Sequence, residues 1–175
     1  MKIMLIYFLS NTFFFILLPA FLIIPGLFLD SLLNLSALSH PPYNLILGLI
    51  IIAWGIFWMI WSLYCLVKIG KGHPQEAFGK EFLPATKKLI IIGPYLYCRN
   101  PMAFGWFNYA AGIIICFGSI STLFIILPIF LAMAIIYLKY FEENNLMKRF
   151  GEDYIKYRES VPLFIPGRIK KGRHE

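Results

Sequence analysis

The stretch that decides the fold runs from Gly93 to Met102 and reads GPYLYCRNPM. It carries two tyrosines, an arginine and an asparagine, and an apolar run begins at its end. A second short polar group, Glu142-Glu143, follows the next two apolar runs. We call 93–102 the first polar segment and Glu142-Glu143 the second polar segment. The rest of the chain predicts that both lie at one border of a membrane.

The composition is that of an integral membrane protein. Of the 175 residues, 59% are hydrophobic and only 14% are charged, whereas charged residues make up about a quarter of a soluble domain. The net charge of +7 would favour nucleic-acid binding in a soluble protein. Here the cations lie in blocks between apolar runs, which is the pattern of the positive-inside rule. We therefore expect a bilayer environment and no nucleic-acid partner.

The cysteines indicate neither a metal site nor a disulfide framework. Cys65, Cys98 and Cys116 are odd in number and have no metal-ligand spacing, and two of them lie in apolar runs. We expect buried or reduced thiols and no bound metal.

Four apolar runs predict an all-α, polytopic membrane protein. The expected transmembrane helices are 3–29, 43–67, 102–117 and 120–138. The first run is longer than the apolar core of a signal peptide, so we interpret it as a retained span that bends near Pro19 or Pro25. Only Gly118-Ser119 separates the last two runs, which predicts a tight antiparallel hairpin. Asn108 and Gly112 in the first leg indicate close helix contact.

The remaining segments complete a single domain over 1–166. They are a cytoplasmic loop (68–101), a cytoplasmic amphipathic helix (139–161) and a basic tail (167–175). The amphipathic helix is predicted because apolar residues recur every three or four positions from Leu146 to Val161. The tail is expected to be attracted to anionic lipid.

The charge distribution predicts the topology. All 16 Lys and Arg residues are Lys2, residues of the loop 68–101, or residues from Lys139 onward. The connections 30–42 and 118–119 carry none. Four spans with both termini in the cytoplasm place every cation on the inside. We expect a multi-pass protein of a bacterial or archaeal plasma membrane.

Two interpretations of the polar segments are open at this point. Each part has a structural explanation: tyrosines as an interfacial belt, Arg99 as a membrane anchor, and Asn100-Pro101 as a helix start. A functional site explains the combination better, because the hairpin brings the first polar segment next to Glu142-Glu143. Two adjacent carboxylates at the end of a membrane helix repel each other and oppose the helix dipole unless the helix continues, and a cationic ligand would relieve them.

The chain resembles the isoprenylcysteine carboxyl methyltransferases and the related membrane methyltransferases that act on phospholipids. The resemblance covers Gly70 to Pro166. It rests on Gly-Pro-Tyr-x-Tyr-x-Arg-Asn-Pro-Met at 93–102, Glu142-Glu143, Phe-Gly-Glu-Asp-Tyr at 150–154, and Val-Pro-x-Phe-x-Pro at 161–166. It implies an S-adenosylmethionine-dependent transferase with a helical cofactor pocket on the cytoplasmic side.

The resemblance also implies site residues. The expected cofactor-binding residues are Leu89, Ile90, Tyr95, Asn100, Pro101 and Glu142. The chain departs from the family pattern at Asn100, where eukaryotic members have histidine, and at Ala103, where tyrosine is usual. The arginine that prenylcysteine enzymes carry shortly before the acidic pair has no clean match, and Lys139 is the nearest cation.

The chemistry of the cofactor fits these residue types. A glutamate can accept hydrogen bonds from its ammonium or ribose hydroxyls, an arginine can pair with its carboxylate, and tyrosine faces suit its adenine or sulfonium. Arg99 and Glu143 are the candidate catalytic residues, and His73 and Lys139 are the candidate substrate contacts.

The expected reaction is methyl transfer to a lipid or other lipid-soluble small molecule, with O-methylation of a carboxylate favoured. The alternatives are N-methylation of a phospholipid amine, an NADPH-dependent membrane reductase, and a non-catalytic membrane scaffold. The sequence does not determine the oligomeric state.

Overall fold

The computed structural model describes residues 8–38, 40–70, 76–77, 80–81 and 88–167. The helices longer than one turn in these ranges are α1 (Phe8–Leu32), α2 (Tyr43–Lys68), α3 (Pro101–Phe117), α4 (Thr122–Phe150) and α5 (Glu152–Ser160). Two short strands, β1 (Glu76–Ala77) and β2 (Lys80–Glu81), pair antiparallel. The fold is therefore helical, as the sequence predicts.

Three helices of the described chain, α1, α2 and α4, are long and apolar enough to cross a membrane. Of the most apolar 18-residue stretch of each helix, only 22% in α1, 28% in α2 and 17% in α4 is buried in the protein. Most of the apolar side chains of these helices therefore face outward. That is the arrangement expected where lipid covers the helix surface. α3 is also apolar but is shorter, at 17 residues. The chain is an integral membrane protein with three candidate spans.

Two π-helical turns lie directly before prolines. Phe13–Leu17 in α1 precedes Pro19, and Thr122–Ile126 in α4 precedes Pro128. Proline lacks an N–H group and its ring collides with the carbonyl four residues earlier, and a wider turn relieves that collision. The irregularity expected near Pro19 thus takes the form of a widened turn.

α4 differs from the expected boundary between a span at 120–138 and a separate helix at 139–161. The helix continues through a third π-helical turn, Leu138–Glu142, and ends only at Phe150. Gly151 then adopts φ +57° and ψ −131°, a conformation that side-chain-bearing residues avoid. α5 begins immediately after it, so the break that the sequence pattern placed near residue 139 lies at Gly151.

The described chain forms two compact units. The first contains α1, the start of α2 up to Gly55, and Phe107–Met133. The second contains Ile56–Trp106 and the chain from Ala134 onward.

In the first unit the helices approach closely at glycines. A Cβ atom on Gly112 would lie 2.7 Å from the carbonyl oxygen of Gly48 and 2.8 Å from the backbone nitrogen of Ile52. Likewise, a Cβ on Gly26 would lie 1.7 Å from Thr122 Oγ1. The close helix contact predicted at Gly112 is confirmed.

The hairpin turn in the first unit is fixed by polar contacts. Gly118 adopts φ +71°, and Ser119 Oγ donates to Asp30 Oδ2 at 2.6 Å. The backbone N–H of Ser121 donates to Asp30 Oδ1 at 2.8 Å. The carboxylate of Asp30 thus satisfies donors at the start of the second leg, where helical N–H groups have no partner within the helix.

Candidate functional site

The candidate site lies entirely in the second unit and begins with a one-turn 3₁₀ helix, Gly93–Leu96. Gly93 adopts φ +61°, and a Cβ atom there would lie 2.9 Å from Cys65 Sγ and 3.2 Å from Trp61 Nε1, both on α2. Pro94 is fully buried. The first polar segment is therefore held tightly against α2.

The segment ends where α3 begins, at Pro101, the position that the sequence predicts for a helix start. The carbonyl oxygen of Asn100 accepts the N–H of Phe104 at 3.0 Å. The side-chain amide of Asn100 does not bond to the helix and instead donates to the carbonyl oxygen of Leu163 at 3.1 Å. This bond fixes the orientation of the amide, because its NH₂ group must face the carbonyl.

The segment after α5, residues 161–167, fastens onto the first polar segment. The N–H of Arg99 donates to the carbonyl oxygen of Pro162 at 2.9 Å, and the N–H of Gly167 donates to that of Tyr97 at 3.0 Å. The buried ring of Phe164 packs edge-on against Phe104 at 5.9 Å. The two backbone hydrogen bonds were not predicted from the sequence, in which only the Val161–Pro166 motif indicated that this segment matters.

The two polar segments meet through an ion pair between Arg99 Nη1 and Glu143 Oε1. The side chains are only 11% and 6% exposed. Two charges so far removed from water attract each other much more strongly than the charges of a surface pair. Loss of either partner would therefore cost considerable folding free energy. The predicted meeting of the segments is realised at these two side chains.

Tyr154 of α5 lies beside this pair and is 1% exposed. Its hydroxyl is close to the guanidinium of Arg99, yet among the described residues it has no partner with full hydrogen-bond geometry. Burial and the negative charge of Glu143 raise the pKa of the Tyr154 hydroxyl, while Arg99 lowers it. Tyr154 belongs to the 150–154 motif but was not predicted as a site residue.

One turn further along α5, the hydroxyl of Tyr157 donates to the carbonyl oxygen of Tyr95 at 2.7 Å. Leu89 packs against the cluster formed by Tyr154, Tyr157 and Val161. α5 is therefore held against the first polar segment by a hydrogen bond and against Leu89 by apolar packing. The spacing of the two tyrosines, three residues apart on one helix face, was the sequence signal for this contact.

The carboxylate of Glu142 is close enough to Tyr95 to influence its titration. Burial raises the pKa of the Tyr95 hydroxyl well above its usual value, and the neighbouring Tyr157 hydroxyl and Glu142 carboxylate raise it further. Glu142 is half-buried and ends the π-helical turn Leu138–Glu142. Such turns are frequent at functional sites because they reorient side chains on an otherwise regular helix.

Other predicted residues are placed less closely. Ile90 is buried at 6% exposure and Pro101 is fully buried. Lys139 is exposed, with its Nζ atom 5.9 Å from the ring centroid of Tyr140. His73 lies outside the described residues.

Aromatic side chains from α2 pack beside the first polar segment. Trp58, 6% exposed, contacts Trp61, Tyr97 and Phe104 with ring centroids 5.8, 6.4 and 5.1 Å away. Trp54, on the same helix, is 49% exposed. Trp58 is therefore a packing residue of the site.

Comparison with known proteins gives three findings. Residues 43–153 match the family model described as phospholipid methyltransferase. Protein-S-isoprenylcysteine O-methyltransferases of Mus musculus and Rattus norvegicus are each 28% identical over 89 residues, which is 46% of this chain. The match spans only 28% of the length of each relative. No solved structure matches the chain.

Proposed function

The chain belongs to the phospholipid methyltransferase family, and from this premise we propose that it transfers a methyl group from S-adenosylmethionine to a lipid-soluble acceptor at the cytoplasmic face of a membrane. The observation that carries the proposal is the meeting of the two polar segments through Arg99 and Glu143. It gathers acidic, basic and aromatic groups beside the start of α3.

The residues present fit a methyl donor with two positive charges and one carboxylate. Glu142 provides a half-buried carboxylate next to Tyr95, which suits an ammonium or a sulfonium. Arg99 Nε is a buried donor that has no hydrogen-bond partner within the described chain. A ligand carboxylate would supply the acceptor that this donor lacks.

The bound donor supplies a methyl group activated by attachment to a positively charged sulfur. In the transfer, an acceptor oxygen or nitrogen forms a bond to the methyl carbon as the sulfur–carbon bond breaks and its electron pair returns to sulfur. The protein's contribution is to align the two reactants and exclude water. Arg99 and Glu142 are proposed to hold the donor in place for this displacement.

A carboxylate is the proposed acceptor. It is already ionised and needs no general base, and the two matched relatives are named as O-methyltransferases. A phospholipid amine is the second candidate, which the description of the family model favours. It is also favoured because Arg99 is proposed to bind the carboxylate of the methyl donor, so a carboxylate acceptor would need another cation. An amine must lose a proton, with His73 or a glutamate as the candidate base.

The proposed topology has four crossings and both termini in the cytoplasm. At 1.5 Å per residue, α4 is about 43 Å long, so its first 20 or so residues cross the hydrocarbon core. In this proposed topology Glu142-Glu143 lie at the cytoplasmic border. α3, about 25 Å long, is the fourth crossing, and it requires local thinning or a first polar segment that lies below the membrane surface. Reporter fusions after residues 37 and 167 test this, and the same location for both reporters would contradict it.

The cofactor is tested by isothermal titration of the purified, folded protein with S-adenosylmethionine. Binding is expected in the wild type, with loss of at least about tenfold in Glu142→Gln because a charge-assisted contact is removed. Glu159→Gln, an exposed acid on α5, is the matched control and should bind normally. Absence of binding by the folded wild type would refute the proposed function.

The acceptor is tested by transferring a labelled methyl group into extracted lipids. Mild base releases the label from an ester, whereas a methylated amine retains it. Release supports the carboxylate acceptor, and retention supports the phospholipid amine.

A further inference from the structure

Tyr154 has a hydroxyl that the packing of the site does not require. The ring fills space in the cluster with Tyr157 and Val161, and a phenylalanine would fill the same space. A buried hydroxyl without a hydrogen-bond partner costs free energy that a phenylalanine would not. The hydroxyl therefore calls for an explanation other than packing.

The polar groups around this hydroxyl point to one. The guanidinium of Arg99 is the side-chain donor next to it, and the charge of Glu143, the partner of Arg99, is the largest influence on the pKa of the Tyr154 hydroxyl after burial. Tyr154 is also held in place independently of them. Tyr157 on the same helix is fastened to the backbone of Tyr95 at 2.7 Å, and α5 starts directly after the conformationally restricted Gly151.

We propose that Tyr154 is a positioning residue of the site, whose hydroxyl accepts a hydrogen bond from Arg99 and keeps the guanidinium aligned with Glu143. This rests on the proposed function. The consequence is a division of roles within the acidic pair. Glu143 remains committed to Arg99, and Glu142 is the carboxylate that faces the methyl donor.

Because the Tyr154 hydroxyl does not reach full hydrogen-bond geometry, its contact with Arg99 contributes little to the stability of the fold. Hydrogen bonds at active sites are often long or poorly aligned before ligands bind and tighten in the complex. Removing the hydroxyl should therefore weaken cofactor binding more than folding. A residue with a purely structural role would show the opposite.

The test is a double-mutant cycle on the full chain in detergent, with Tyr154→Phe, Arg99→Lys and the double variant. S-adenosylmethionine affinity is measured by isothermal titration and stability by thermal unfolding without the cofactor. Tyr154→Phe should bind about tenfold more weakly, the effect of one hydrogen bond to a charged group. Its unfolding midpoint should fall by no more than about 2 °C. Tyr64→Phe, an exposed tyrosine on α2, is the control.

The double variant should bind no more weakly than Arg99→Lys alone, because Tyr154 acts through Arg99. Fold-changes that multiply, unchanged affinity in Tyr154→Phe, or an affinity loss that follows a fall in stability would each overturn the proposal while the wild type still binds. If Arg99→Lys does not fold, the contrast between affinity and stability in Tyr154→Phe decides. Failure of the wild type to bind refutes the proposed function and this inference with it.

Discussion

Removing the charge of Glu143 should destabilise the protein strongly. Glu143→Gln keeps the shape of the side chain but leaves Arg99 charged and without its partner. With side chains 11% and 6% exposed, the pair belongs with buried ion pairs, for which loss of one partner costs about 3–5 kcal/mol. An exposed pair would contribute only about 0.2–1 kcal/mol. Since whole domains are stable by about 5–15 kcal/mol, this single change removes a large share.

The assay is thermal unfolding in detergent micelles, compared with Glu159→Gln. For a chain of this size, about 1 kcal/mol shifts the midpoint by roughly 2–4 °C, so Glu143→Gln should lower it by at least about 6 °C. The exposed control should stay within about 0.5 kcal/mol of wild type. A double variant, Arg99→Met with Glu143→Leu, should recover most of the loss because neither buried charge remains.

Two results would refute this reasoning. A loss below about 1 kcal/mol in Glu143→Gln would mean that water screens the pair as it screens surface pairs. A double variant as unstable as Glu143→Gln would mean that the loss comes from packing and not from an uncompensated charge.

Three further predictions concern single residues. Burial raises the pKa of the Cys98 thiol to about 12, so at pH 8 only about one molecule in ten thousand carries the reactive thiolate. Peptide mapping after iodoacetamide treatment should find Cys98 unmodified in the native protein and alkylated after denaturation. Gly151→Ala should destabilise the protein by about 1–3 kcal/mol from backbone strain alone, since no atom lies within 4 Å of the added methyl group. The control is Gly167→Ala, whose methyl group meets only ordinary contacts. Equal losses of stability in the two variants would contradict the backbone explanation. Gly112→Ala should destabilise the protein by about 1–3 kcal/mol, because its methyl group would meet the Gly48 carbonyl oxygen at 2.7 Å. Helix propensity alone predicts the opposite, a gain in stability of about 1 kcal/mol. A measured gain in stability would show that the helices do not meet there.

Much of the fold follows from local properties of the sequence. Apolar runs long enough to cross a bilayer must be helical, because no water is present there to satisfy the backbone. The start of α3 at Pro101 and the turn at Gly118-Ser119 were also predictable, in their case from residue type. The break at Gly151 was not, because the heptad-like spacing of apolar residues continues through it and only the backbone angles reveal it.

The candidate site likewise has features that follow from the sequence and features that only the structure shows. The sequence by itself determined which residue types are available: an arginine, an asparagine and two tyrosines in one segment, and two glutamates in the other. Only the tertiary structure decided that Arg99 pairs with Glu143 and that Asn100 donates its amide to Leu163. It also decided that Tyr154 comes to lie beside the ion pair. The physical reason is that burial and pairing depend on residues 44 to 63 positions apart in the chain, and their separation in space is set by helix packing, which no local pattern records.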